Sequence, residues 1–120
     1  MAEVETKSIL TTTKLMLGIQ PEASYFDDQL IVAINSAFSV LNQLGVGPEE
    51  GFFITGCDET WDDYSTDTNM KMVQMYVAVK AHILWDPPTN STLLQALQDQ
   101  AKEYEFRLNV HCDRKKEADE

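Results

Sequence analysis

The sequence has few cysteines and no long apolar run, and each shortage excludes a class of protein. Its 120 residues include two cysteines, Cys57 and Cys112, which form no CxxC pair. Two cysteines do not build a disulfide framework, so we expect folding in a reducing cytosol. No stretch reaches the roughly 20 apolar residues of a spanning helix, and the first residues lack the pattern of a signal peptide. We therefore expect a soluble protein with no membrane association, made inside a cell.

Basic side chains are also scarce. Nine Lys and Arg stand against twenty Asp and Glu, which gives a formal net charge of −11. Tight binding of DNA or RNA depends on Lys and Arg neutralising phosphates, so this balance argues against a nucleic-acid-binding protein. The two Trp, five Phe and four Tyr separate the chain from disordered acidic tails. Its length fits one domain with one core.

The motifs of catalysis, cofactor binding and metal binding are missing as well. A calcium-binding EF-hand loop that begins at Asp58 would need Gly at position 63 and Glu at position 69, where the sequence has Asp63 and Asn69. His82 and His111 have no partner at metal-ligand spacing, and neither GxSxG nor GxxxxGK(S/T) occurs. We predict no enzyme activity, no cofactor and no metal. The acidic residues of 58–67 are interpreted as turn and cap residues, and His82 as a core or interface residue.

Hydrophobic periodicity predicts four helices. Their expected starts are Ser8, an N-cap at Asp27 or Asp28, about Thr68, and an N-cap at Asn90 or Ser91. Gly18 and Gly45 are expected to end the first two, and Asp86-Pro87-Pro88 the third. The second helix carries an apolar stripe made of Leu30, Ile31, Ile34, Ala37, Phe38, Leu41 and Leu44. The third is apolar on most of its surface, and the last carries a seam made of Leu94, Leu97, Ala101, Tyr104 and Leu108.

Between the second and third helices the chain has no helical periodicity. Residues 52–55 and 60–64 read as two short extended pieces around 56–59. The predicted fold is therefore all-α: a small antiparallel four-helix domain with a short β-hairpin-like or irregular excursion at about 46–67. Residues 1–7 are expected to be a flexible N-terminus, 8–110 a single helical domain and 111–120 a charged C-terminal tail.

This excursion and the third helix carry more apolar surface than one small core requires. One interpretation is that the excursion packs back onto an open end of the bundle; the other is that part of this surface contacts other subunits. The two are compatible. The candidate residues for a subunit or partner interface are Phe52, Phe53, Trp61, Tyr64, Met72, Tyr76 and Trp85.

Four segments together resemble the head–tail connector (adaptor) proteins of tailed bacteriophages and prophages. They are 41–52 (LNQLGVGPEEGF), 60–64 (TWDDY), 84–89 (LWDPPT) and 105–110 (EFRLNV). With the order of the predicted helices, the resemblance covers about residues 8–110. The polar N-terminus and the charged tail depart from it.

The resemblance implies a structural virion protein without catalytic residues. Such proteins form a ring, typically of about twelve copies, under the portal protein. The ring extends the DNA channel and offers a platform for the next neck or tail-completion protein. The chain would act in virion assembly and DNA packaging, in the host bacterial cytoplasm and then in the virion neck. DNA would pass without sequence-specific binding, helped by acidic residues that face the bore. The alternatives are a small acidic protein-binding or regulatory domain of a prophage, monomeric or dimeric, and a hydrolase or metal protein built on residues 58–67.

Overall fold

Helices dominate the structure, a computed structural model that describes the backbone of residues 8–20, 22–64 and 70–119. Side chains are described for the same residues up to Val110, apart from Met70. The helices are α1 (Ile9–Met16), α2 (Asp27–Gln43), α3 (Trp61–Tyr64), α4 (Met70–Trp85) and α5 (Ser91–Asp119). Within the described ranges no strand occurs, only one isolated antiparallel bridge between Ser8 and Thr60. The all-α class is confirmed.

Two finer predictions about the fold have different outcomes. The antiparallel four-helix arrangement stays a prediction. In the excursion, residues 51–59 have irregular backbone, and 61–64, which we expected to be extended, form the single helical turn α3. The rest of the excursion, from residue 65, and the predicted flexible N-terminus 1–7 lie outside the described residues.

Glycine ends both α1 and α2 as predicted. Gly18 and Gly45 have φ angles of +79° and +86°, the left-handed conformation that glycine adopts without steric cost. After α1, the Gly18 amide donates to the Leu15 carbonyl at 3.2 Å, and the next amide, of Ile19, donates to the Lys14 carbonyl at 2.8 Å. The same pair of bonds closes α2, so each helix ends in a Schellman motif.

The predicted N-cap of α2 is wrong. The cap position is Phe26, which makes no side-chain cap hydrogen bond, and Asp27 and Asp28 lie inside the first turn. The Asp27 carboxylate instead pairs with Lys14 Nζ at 2.5 Å, and Lys14 also donates to the Ala23 carbonyl at 2.8 Å. The side chain of Lys14 is only 4% exposed. A buried ammonium needs such a partner. Because Lys14 lies on the preceding helix, its pairing with Asp27 cannot be predicted from the residues around Asp27.

The core lies between α2, α4 and α5, and the predicted stripes face it. The core side chains that the long helices contribute are Leu30, Ala33, Ile34, Ala37, Phe38, Leu41, Val73, Tyr76, Val77, Ala81, Ala101, Tyr104 and Leu108. On α4, Lys71, Met75 and Leu84 are exposed and the other described side chains are buried or half-buried, so the burial predicted for this helix is confirmed.

The start of α5 is also as predicted. Asn90 Oδ1 accepts hydrogen bonds from the amides of Thr92 at 2.9 Å and Leu93 at 3.1 Å, which makes Asn90 the cap. The helix continues along its backbone to Asp119, so residues 111–119, expected as a tail, are helical. The division of the chain into 1–7, 8–110 and 111–120 stays a prediction.

Candidate interaction surfaces

Residues 45–64, called the 45–64 segment below, are fixed to α2 by side-chain amides. Asn35 Nδ2 donates to the Ile54 carbonyl at 3.0 Å, and the Ile54 amide donates back to Asn35 Oδ1 at 2.8 Å. Asn42 Nδ2 donates to the carbonyls of Pro48 and Glu49 at 3.0 and 3.2 Å. The Asn35 amide thus supplies the two hydrogen bonds that a neighbouring strand would give, which lets irregular backbone hold the Ile54 side chain at 1% exposure.

Further contacts tie the segment to the start of α1. The Ile9 amide donates to the Glu59 carbonyl at 3.0 Å, and the Ser8 hydroxyl donates to the Cys57 carbonyl at 2.9 Å. The same hydroxyl oxygen accepts from the Thr11 amide at 3.3 Å as the N-cap of α1. Ser8 therefore joins the first helix to the 45–64 segment.

Two of the acidic residues in 58–67 act within this segment as turn and cap residues. The Glu59 carboxylate accepts from the Thr55 amide and hydroxyl, both at 2.9 Å, and from the Gly56 amide at 3.4 Å. Burial opposes the charged form, but these hydrogen bonds outweigh it and lower the pKa of Glu59. Thr60 and Asp63 form a capping box: the Thr60 amide donates to Asp63 at 3.0 Å, and the Asp63 amide donates to the Thr60 hydroxyl at 3.2 Å.

Aromatic rings fasten the segment to the core. The Phe38 ring on α2 lies 5.3 Å from that of Phe52, 4.8 Å from that of Tyr64 and 6.2 Å from that of Trp61, measured between centroids. Gly47, at φ +83°, passes so close that a Cβ there would lie 2.6 Å from the Tyr64 ring. For these rings the interpretation that the excursion packs back onto the bundle therefore applies.

The seven predicted interface residues differ in exposure. Trp61 and Tyr64 are each 4% exposed and Tyr76 is fully buried, so all three pack within their own chain. The other four carry more surface: Phe53 is 64% exposed, and Phe52, Met72 and Trp85 are half-buried. Their role in an interface stays a prediction.

The structure places five of these residues in three separate places. Phe52, Trp61 and Tyr64 surround Phe38. Trp85 packs on Phe26, 5.1 Å between ring centroids, beside the start of α2. Tyr76 lies in the middle of α4 and donates its hydroxyl to Glu105 on α5.

The Tyr76 hydrogen bond fixes α4 to α5. The hydroxyl lies 2.8 Å from Glu105 Oε2. Burial, the hydrogen bond and the nearby negative charge all raise the pKa of Tyr76 above its usual value. The phenol therefore stays protonated and donates to the carboxylate.

The sequence reasoning missed two pockets beside α4. One, of about 250 Å³, is lined by Met16, Leu17, Met75, Ala78, Val79, His82, Leu97, Gln100 and Tyr104. This places half-buried His82 at the edge of an apolar surface where Met16 and Met75 are 46% and 41% exposed. On α1 the buried positions are those of Ile9, Leu10, Thr13 and Lys14, whereas Met16 and Leu17 line this pocket.

The second pocket, of about 320 Å³, lies between α4 and α5 and is called the lysine pocket below. It is lined by Lys80, Ile83, Gln98, Ala101, Lys102 and Glu105. Two of its six residues are lysines in a chain with nine basic residues in all. The sequence places both lysines on the predicted third and fourth helices, but only the fold brings them to one pocket.

These features define a small all-helical protein with uncovered apolar and charged surfaces that suit contacts with other proteins. Among the described residues no helix is long and apolar enough to cross a membrane, and no group of three His, Cys, Asp or Glu side chains is placed to hold a metal. The family model described as "Phage connector protein" matches residues 9–115. The chain belongs to this phage connector family, which confirms the resemblance stated from the sequence. Neither the curated proteins nor the solved structures contain a match.

Proposed function

We propose that this phage connector protein forms a ring beneath the portal protein, extends the DNA channel and presents a platform to the next neck or tail-completion protein. Family membership over residues 9–115 carries this proposal. In this role the chain acts by binding other proteins rather than by catalysis. Its place is the virion neck, at the junction between head and tail.

Uncovered aromatic surface at both ends of α2 supports a connecting role. With 17 residues, α2 is about 25 Å long. Tyr25 and Phe26, immediately before it, are 86% and 40% exposed, and Phe26 packs on Trp85. The 45–64 segment follows the other end and exposes Phe53. A protein that joins two partners needs separate contact surfaces, and exposed aromatic side chains are enriched at such contacts.

The distribution of charge supports passage of DNA without binding. The 45–64 segment contains six acidic residues and no Lys, Arg or His. A surface of one negative sign repels a phosphate backbone, and this repulsion acts over about 10 Å at 0.1 M salt. In our proposal, the part of this acidic surface that no neighbouring copy covers faces the channel or its rim and keeps DNA from adhering.

The experiment is reconstitution with the portal protein of the same phage. Purified chain is mixed with purified portal rings, separated by size, and imaged by negative-stain electron microscopy. We expect an added ring-shaped layer on one face of the portal. No complex at any salt concentration between about 0.05 and 1 M would reject the proposal. A defined monomer or dimer that binds a different prophage protein would favour the regulatory alternative.

A further inference from the structure

The lysine pocket contains two basic side chains that have no ion-pair partner among the described residues. Among the other Lys and Arg residues with a described side chain, Lys14 pairs with Asp27 and exposed Arg107 pairs with Glu103 at 2.7 Å, whereas exposed Lys71 has no ion pair to a described residue. Within the described part of the chain, neither Lys80 nor Lys102 forms an ion pair. Two lysines that line one pocket without an acidic ion-pair partner among the described residues suit carboxylates supplied from outside.

Glu105 also lines this pocket, and its charge must be counted. One of its oxygens accepts the Tyr76 hydroxyl at 2.8 Å, which directs the carboxylate toward α4. With Lys80 and Lys102 the pocket has a net charge of +1. Ile83 and Ala101 give it an apolar floor. It therefore suits a ligand with an apolar group and surrounding negative charges.

The same chain carries a surface of that description. Phe53 in the 45–64 segment is 64% exposed. Asp58 and Asp62 of the same segment are also exposed, and they make no hydrogen bond or ion pair with the described residues. Phe53 is not in its own chain's lysine pocket, since it is not among the residues that line it. The volume of about 320 Å³ is enough for a phenyl ring.

We propose that adjacent copies of this chain join by inserting Phe53 of one copy, with its neighbouring carboxylates, into the lysine pocket of the next. The two surfaces are different patches, since none of Phe53, Asp58 and Asp62 is among the residues that line the lysine pocket. Contacts between two different patches join copies head to tail, and such contacts form a ring when the rotation from one copy to the next closes. This inference rests on the proposed function, since it names the contact that builds the ring.

A charge swap tests the pairing. One variant carries Lys80→Glu with Lys102→Glu, and a second carries Asp58→Lys with Asp62→Lys. We expect each variant alone to self-associate about 100-fold more weakly than the natural chain, because like charges then meet in the contact. Mixed in equal amounts, the two variants regain association, since each reversed surface finds its complement. Phe53→Ala is expected to weaken association about tenfold. Sedimentation velocity in about 0.1 M salt measures all of these.

Matched controls separate the contact from net charge. Lys71→Glu is compared with Lys80→Glu made alone, because both change the net charge equally and Lys71 is exposed elsewhere on α4. Glu22→Lys is compared in the same way with Asp58→Lys made alone. Both controls are expected to associate like the natural chain, and circular dichroism verifies that every variant is folded.

The results separate this inference from the proposed function. A natural chain that stays monomeric up to about 1 mM overturns the pairing, and so does a mixture that fails to regain association. If portal rings still gain a layer with both charge variants, the proposed function stands and the pairing is wrong. If the swap rescues association but no portal complex forms, the pairing stands and the proposed function fails.

Discussion

Replacement of Trp61 by alanine tests whether the 45–64 segment is part of the folding unit. Trp61 is 4% exposed and packs near Phe38, so its truncation removes buried apolar area and leaves a cavity. A buried Trp side chain covers about 150–250 Å², which at about 25 cal/mol per Å² corresponds to roughly 4–6 kcal/mol. Measured costs of such truncations are about 3–5 kcal/mol. For a domain of this size that is a large share of the total stability of about 5–15 kcal/mol.

One local feature reduces the loss of stability expected for Trp61→Ala. The indole Nε1 of Trp61 is buried and has no hydrogen-bond partner among the described residues. An unsatisfied buried donor costs about 1–3 kcal/mol, and the alanine variant removes it. We therefore expect a loss near the lower end, about 3 kcal/mol. Trp61→Phe, which keeps most of the ring and removes the donor, is expected to cost less than about 1.5 kcal/mol.

The assay is urea unfolding followed by far-ultraviolet circular dichroism. Tryptophan fluorescence is unsuitable because the variant leaves Trp85 as the single tryptophan. Phe53→Ala is the matched control, because Phe53 is in the same segment but 64% exposed, and its loss is expected to stay within about 0.5 kcal/mol. If Trp61→Ala unfolded at the same urea concentration as the natural chain, the segment would not belong to the core, and the argument from burial would be refuted.

Three further substitutions test the anchoring of the 45–64 segment, each measured as the free energy of unfolding. Gly47→Ala should lower the free energy of unfolding by more than about 2 kcal/mol, because the residue has φ +83° and the new Cβ would meet the Tyr64 ring at 2.6 Å. Gly18→Ala is the control: a Cβ there has no atom within 4 Å, so only the backbone cost of about 1 kcal/mol is expected. Equal losses of stability in the two variants would contradict the close approach of Gly47 to Tyr64. Asn35→Ala should cost about 2–4 kcal/mol, because it leaves a buried backbone amide and carbonyl unpaired, and a loss under about 0.5 kcal/mol would show that water replaces them. Glu59→Gln should be less stable than the natural chain at pH 7 and approach it in acid. The folded-state pKa of Glu59 is lowered, so its stabilisation is present above its ordinary value of 4.5 and is lost as the pH falls toward the folded-state value; a gap that stays constant down to about pH 3 would be inconsistent with this.

The four longer helices and several of their ends could be predicted because their signals are local. Glycine after an apolar run produced the Schellman motifs at Gly18 and Gly45, and Asn90 before the last amphipathic run caps α5. The stripe on α2 and the seam on α5 followed from spacing alone. In each case the residues that decide the structure lie within one or two helical turns of each other.

The failures involve partners far apart in sequence. The local sequence predicts Asp27 as an N-cap, but its carboxylate pairs with Lys14 on the preceding helix. The 45–64 segment lacks periodicity because its hydrogen bonds go to Asn35 and Asn42 of α2 and to the start of α1 instead of forming a ladder within it. Aromatic composition indicated correctly that the segment has apolar surface to cover. It could not separate Trp61, which is buried in the chain, from Phe53, which is not.

Net charge and local pairing have opposite effects on assembly, and their ranges differ. Two copies with a formal charge of −11 each repel over the whole molecule, whereas Asp58 or Asp62 against Lys80 attracts across a few ångströms. The Debye length falls from about 30 Å at 0.01 M salt to about 10 Å at 0.1 M and 3 Å at 1 M. The increase from about 0.01 to 0.1 M salt therefore screens mainly the repulsion between the two negatively charged copies, and the increase from about 0.1 to 1 M weakens the ion pairs of the contact. We expect self-association to strengthen from about 0.01 to 0.1 M salt and to weaken again toward 1 M, measured by sedimentation equilibrium at fixed pH. Self-association that strengthens steadily up to about 1 M salt would indicate an apolar contact without ion pairs. The pocket beside Met16 and Met75 would then be the better candidate for the contact between copies.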